Sequence, residues 1–184
     1  TETARHVGTL THRYLEHMAD KDLSQWQEQT IDDYRHTISN GLKNLGTQDN
    51  ELDHASGKVI TALKNTLDDE RGRWILKSHQ LANSEYALTA NTDNGFKRYI
   101  IDRTFVDDNN IRWIIDYKTG SHEGGDKESF LNQEKERYQS QLEGYARLLR
   151  QLDSRPVRLG LYFPMLKGWR EWDFQENTAW SWLA

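Results

Sequence analysis

The sequence predicts an α/β fold: an N-terminal helical segment, then a central mixed sheet built on an antiparallel hairpin meander and flanked by helices. Three observations predict it. Apolar residues recur at helical spacing through residues 1–77, the period drops to two over residues 78–119, and a helical stretch at 127–153 separates that meander from two further apolar runs.

The elements follow in order. From Val7, apolar positions at Leu10, Tyr14, Leu15 and Met18 mark one face of a first helix. A second stripe, Leu23, Trp26, Ile31, Tyr34, Ile38, Leu42 and Leu45, predicts one long helix, with GTQDNE after it as a loop. Val59, Ile60, Leu63 and Leu67 predict a third, closed by the charged DDERG stretch. Residues 79–90, 96–106 and 111–118 are β-branched or aromatic runs separated by NTDNG and DDNN, both turn signals, and read as a three-stranded meander. After the polar loop SHEGGDKES, the spacing of Tyr138, Leu142, Tyr145, Leu149 and Leu152 predicts a helix ending near Ser154, before Pro156. Residues 157–163 and 169–174 predict short strands, and an aromatic tail carries Trp180 and Trp182. With no internal repeat and no linker, residues 1–184 read as one domain, the stretch 156–184 being its terminal strands and tail.

Composition narrows the function. A globule of 184 residues buries roughly 70% of its unfolded surface, enough for a sizeable core. Hydrophobic residues are 35% and charged residues 29%, but 7 Trp, 8 Tyr and 5 Phe supply large apolar area, so the chain reads as folded. Most of the tryptophans read as core, with Trp180 and Trp182 as candidates to dock on a partner domain. There is no cysteine, which excludes disulfides and thiolate metal sites, so any metal must use Asp, Glu, His or carbonyl oxygen. No apolar run approaches the ~20 residues of a membrane span. A net charge of -5 argues against wholesale coating of nucleic acid but leaves room for a local groove. The chain starts on Thr rather than Met with a helical pattern at once, and is expected to be a processed product or a domain cut from something longer.

The stretch WIIDYKTG, residues 113–120, runs a buried-strand pattern straight into Asp116 and then Lys118. A buried carboxylate needs a partner, a metal or a task. If the loop between the second and third strands has an odd number of residues centred on Asn109, paired positions sum to 218 and Asp102 lies opposite Asp116, with Cβ atoms ~4.5–5.5 Å apart. A two-residue turn would slip the register by one and send Asp102 to the other face. In the odd register Lys118 shares the face of Asp116, and two carboxylates at that distance call for a cation that accepts oxygen ligands, Mg2+ or Mn2+. The plain alternative is a surface ion pair worth ~0–1 kcal/mol.

Longer segments narrow the choice. IIDRTFVDDNNIRWIIDYKTG, residues 100–120, resembles the core of the PD-(D/E)XK nucleases, the restriction-endonuclease-like fold, and within it the RecB-like and AddA-like branch. GTLTH, residues 8–12, resembles that branch's G-x-x-x-H segment on the first helix, and QLEGY, residues 141–145, its Q-x-x-x-Y segment on the helix after the hairpin. The resemblance implies that His12, Asp102, Asp116 and the backbone carbonyl of Tyr117 bind a divalent metal, Mg2+ or Mn2+, and that Asp102, Asp116 and Lys118 carry catalysis. It implies that Gln141 and Tyr145 border the site and place the DNA; Tyr145 also falls on the apolar stripe of its helix, where packing is the alternative. By periodicity alone His12 sits on a helix flank. Tyr99 stands where the branch often has glycine, while Arg103, which often follows the Asp, is present. Glu85 on the preceding strand is a further acidic group that its alternation does not set apart from an exposed position.

The implied activity is a Mg2+-dependent deoxyribonuclease, an exonuclease rather than a site-specific endonuclease, acting in double-strand break repair in the bacterial cytoplasm. The implied partners are DNA and a covalently linked helicase motor. No phosphate-binding G-x-x-x-x-G-K-[ST] loop occurs, since Gly57 and Lys58 lack the surrounding pattern, so the motor is expected elsewhere. The alternative is a catalytically inactive nuclease-fold module for DNA binding or protein docking.

Overall fold

Why the helical first half breaks where it does is settled by its caps. The computed structural model describes residues 1–122 and 124–176; the aromatic tail with Trp180 and Trp182 lies outside them. Helix α1 (Glu2–Asp20) is capped by Thr1, whose hydroxyl accepts from Ala4 N, and buries Val7, Leu10, Leu15 and Met18. The long helix expected from Leu23 to Leu45 is instead a 3-10 turn at Leu23–Gln25, α2 (Glu28–Asp33) and α3 (Arg35–Leu45). Gln27 N donates to Thr30 Oγ1 at 3.2 Å where a new helix starts, and Trp26 stacks on Tyr34 at 5.5 Å across the break, so the apolar stripe stays continuous although the backbone does not. Helix α4 (Leu52–Asp68) starts earlier than its apolar stripe. The DDERG stretch does more than close it: the Asp69 carboxylate accepts from Gly72 N and caps a further helix, α5 (Glu70–Leu76).

Strands β1 (Gln80–Thr92), β2 (Gly95–Val106) and β3 (Arg112–Tyr117) form the expected antiparallel meander. Helix α6 (Lys127–Arg150) stops a little short of the expected end, and then carries the chain to β4 (Val157–Phe163), parallel to β3, with β5 (Gly168–Asp173) antiparallel at the edge. A parallel neighbour requires a crossover, and α6 supplies it. The sheet order is β1-β2-β3-β4-β5.

All six residues of β3 are buried, as a central strand covered on both faces demands. Trp113, Ile115 and Tyr117 join Phe105 and Tyr162 in a core with α1 to α5, while Ile114 joins Leu159, Leu161 and Phe163 beneath Leu131, Leu142 and Leu149 of α6. Beside β3, Gly160 on β4 leaves room for an indole: a Cβ there would lie 2.2 Å from the Trp169 ring. The β2–β3 ladder pairs Arg103 with Ile115, Thr104 with Ile114 and Phe105 with Trp113, the register in which positions sum to 218. Its loop is odd because Asp107 N donates to Ile111 O and Asn110 takes a left-handed conformation, φ 62°, which Asn tolerates.

Candidate active site

At the row after Arg103 and Ile115 the backbone ladder of β2 and β3 gives way to a side chain. Tyr117 N donates to Asp102 Oδ2 at 2.9 Å, so the carboxylate takes the place of a strand carbonyl and is fixed opposite Asp116. On the other side of β2, Ser84 pairs with Arg103 and Tyr86 with Ile101, which puts Glu85 beside Asp102. Glu85 itself is left-handed, φ 50°, a conformation that costs a non-glycine residue about 1–3 kcal/mol and persists only where its surroundings enforce it. Glu85, Asp102 and Asp116 thus form one row across three strands.

Helix α1 reaches this row from the opposite end of the chain. Gly8 passes so close to the turn after Lys118 that a Cβ would lie 3.0 Å from Thr119 Oγ1. One turn later His12 Nε2 lies 3.1 Å from Tyr117 O and 3.9 Å from Asp102 Oδ2. Donor atoms of His12, Glu85 and Asp102 all fall within 4.8 Å of one another. Asp116 is 7% exposed, and its Oδ2 lies 2.7 Å from Lys118 Nζ. That approach is an ion pair at an angle too oblique for a hydrogen bond, leaving Oδ2 buried with no hydrogen-bond donor among the described residues. Lys118 Nζ also sits 3.8 Å from the centroid of the Tyr138 ring on α6.

A match to a family model decides what this row belongs to. The model described as the PD-(D/E)XK nuclease superfamily matches residues 1–179. The chain belongs to the PD-(D/E)XK nuclease superfamily. No curated protein matches the chain. As a PD-(D/E)XK protein it has the expected mixed sheet between helices, and membership implies a nuclease with DNA as its substrate class. Among the described residues no helix is long and apolar enough to cross a membrane.

The electrostatics of this PD-(D/E)XK site fit the divalent ion such nucleases typically use. Burial, and then the neighbouring Asp116, push Asp102 well above the ordinary carboxylate range, while its bond from Tyr117 N opposes the shift. Glu85 is raised by burial and then by Glu16 and Asp116. Burial lowers His12 despite the pull of Asp116, favouring the neutral imidazole that ligates metals. Crowded carboxylates, a neutral imidazole and a carbonyl oxygen are the donor set of a hard octahedral cation such as Mg2+ or Mn2+.

The structure brings His12 and Asp102 together as expected, with Tyr117 O at the same point. The third donor within the 4.8 Å group is Glu85 rather than Asp116, whose Oδ2 turns to Lys118. Gln141 Nε2 donates to Tyr145 Oη at 2.9 Å, and Tyr145, 8% exposed, packs in the core against Tyr99 while its hydroxyl feels Asp116 and Asp102. Its ring is core packing, and its hydroxyl lies within electrostatic reach of the two carboxylates. The signal for Glu85 lay in the NTDNG turn: two central residues there make β1 and β2 positions sum to 187, which pairs Glu85 with Asp102. The Tyr138 contact had no sequence signal beyond its helical stripe.

Proposed function

We infer that the protein is a divalent-metal-dependent deoxyribonuclease of the RecB-like and AddA-like branch, which degrades DNA from ends and works in double-strand break repair beside a helicase motor. The observation that carries this reading is the convergence of His12, Glu85 and Asp102 donors next to the Asp116–Lys118 pair. Branch membership is supported by four motifs whose members meet in space: Gly8 against Thr119, His12 at Tyr117 O, Asp102 at Tyr117 N, and Gln141 on Tyr145.

His12, Glu85, Asp102 and the Tyr117 carbonyl would hold Mg2+ or Mn2+, with Asp116 as the adjoining carboxylate. When bound, the ion supplies Lewis-acid polarisation of the scissile phosphate and a more acidic water. The protein's own groups do the rest. Lys118 aims its ammonium at the charge that builds on the phosphate oxygens, Asp116 orients that ammonium, and the buried setting strengthens both effects. Tyr117 N holds the Asp102 carboxylate in place, and Gln141 and Tyr145 border the strand. A water attacks phosphorus, the bond to the 3′ oxygen breaks, and the proton given up by the water is balanced by the one the leaving 3′ oxygen takes up, which leaves a 5′ phosphate and a 3′ hydroxyl.

The test is degradation of linear plasmid, covalently closed circles and single strands with Mg2+, Mn2+ or EDTA. Linear and single-stranded DNA should disappear with metal, closed circles should persist, and EDTA should stop the reaction. Asp116→Ala and Lys118→Ala should each cut at least about a thousandfold more slowly while keeping the wild-type circular-dichroism spectrum. A wild-type protein that binds DNA but never cuts it would establish the inactive-module alternative.

A further inference from the structure

The β1–β2 hairpin outruns the rest of the sheet. Beyond Arg103, β2 loses β3 as a neighbour, yet the β1–β2 ladder continues from Tyr86 and Ile101 to Thr92 and Gly95. At ~3.3 Å per residue this is an arm about 20 Å long. One face is anchored: Leu88 and Ile101 are buried under α6, and Tyr99 meets the Tyr145 ring at 6.1 Å. The other face, where Ala87, Thr89 and Asn91 oppose Ile100, Arg98 and Phe96, has nothing on it among the described residues. Phe96 is 81% exposed near the tip and Ile100 40%.

Three features on the arm point to one kind of occupant. Its root is the Glu85–Asp102 row itself. Lys97 and Arg98 against Asp93 leave residues 86–101 one unit positive in a chain whose net charge is -5. And its length matches about six base steps at 3.4 Å each. We propose that this arm is a DNA-binding finger: Arg98 on the open face, with Lys97 beside it on the other face of the strand, engages phosphates a few nucleotides away from the cleaved bond, and Phe96 stacks on a base near the tip. An aromatic ring accepts any unpaired base by its π-face, and a two-stranded ribbon also fits a major groove, so sequence-independent contact along the strand is what this surface offers.

The proposal rests on the nuclease reading of the site, and the test separates the two. Fluorescence anisotropy with Ca2+ in place of Mg2+ measures binding of labelled 20-nucleotide single strands and duplexes, with a trinucleotide as competitor. The Lys97→Glu, Arg98→Glu double variant is expected to bind the long substrates at least tenfold more weakly and to flatten the slope of log affinity against log salt by about 1.4–1.8. Phe96→Ala is expected to weaken single strands by roughly fivefold or more, and duplexes less. Neither should weaken the trinucleotide, which is too short to reach the tip from the metal cluster. In Mg2+ the same variants should raise KM for the long substrates by the same factors. Unchanged affinity and salt slope would overturn the finger, as would an equal loss for the trinucleotide, or a change of oligomeric state with DNA affinity intact. Arm-dependent DNA binding by a wild-type protein that cuts nothing would keep the finger and reject the nuclease.

Discussion

Asp102 is the residue on which stability and chemistry disagree. The folded protein holds its proton to higher pH than the unfolded chain, whose carboxyl titrates near 3.8. The unfolded state therefore releases the proton first, and without metal the fold weakens as pH rises from that value through the raised range. Asp102→Asn keeps an oxygen to accept from Tyr117 N and removes the charge. It should raise the Tm of metal-free protein at pH 8 by about 2–4 °C, roughly 1 kcal/mol for a chain of this size, with the gap closing towards pH 4, and should abolish cleavage. Thermal melts in EDTA at both pH values measure this; a lower Tm for the variant at pH 8 would reject it. Lys118 makes the complementary case. Its ammonium is shared between Asp116 Oδ2 at 2.7 Å and the Tyr138 ring at 3.8 Å, and a cation over an aromatic face contributes about 0.5–2 kcal/mol. Tyr138→Leu should lower single-turnover cleavage roughly 3- to 30-fold with DNA affinity unchanged, whereas Tyr138→Phe, which keeps the ring, should cleave near the wild-type rate.

At the scale of elements, the site depends on how closely α1 approaches the end of β3. Gly8 permits that approach, and the obstacle to a larger residue is a threonine hydroxyl that rotates rather than a fixed backbone. Gly8→Ala should thus gain helix propensity, up to about 1 kcal/mol of stability, with little harm. Gly8→Leu should push α1 away, carry His12 off Tyr117 O, and weaken Mn2+ binding about 10- to 100-fold by calorimetric titration. Equal metal affinity in all three proteins would remove α1 from the site. This packing explains what the sequence does and does not disclose. The strands were legible because NTDNG and DDNN mark their turns; the sequence left the parity of the second loop open, and the structure shows the odd register that sets Asp102 against Asp116. The same parity reasoning applied to NTDNG reaches Glu85, which alternation alone does not. The breaks before α2 and between α4 and α5 stayed hidden because Gln27 is a weak starting signal and Asp69 sits inside an acidic run. The meeting of His12 with Tyr117, 105 positions apart, follows from tertiary packing that no local pattern records.

For the whole molecule, the site lies where the two cores meet. One core joins α1 to α5 with one sheet face, the other joins α6 with the opposite face, and β3 belongs to both. The proposed ligands come from α1, β1, β2 and β3, so a bound ion would tie the N-terminal helical layer to the sheet beside hydrogen bonds such as those from Arg103 to Ile75 O and Lys77 O. The ion would also relieve the carboxylate crowding that burdens the metal-free fold. Both effects have one sign: an ion that binds the native state and not the unfolded chain stabilises by mass action, about 2.7 kcal/mol at a hundredfold excess over its Kd. For a chain of this length that corresponds to a rise of roughly 5–11 °C in Tm. Mg2+ or Mn2+ should produce the rise, EDTA should reverse it, and Asp102→Asn should blunt it. Because His12 lies midway along α1, amide exchange should slow around it and along the Glu85–Asp102 row, while the C-terminal turns of α6 near Leu149 change least. A Tm insensitive to every divalent ion, or protection gained equally over both cores, would mean that these donors do not close on a metal at all.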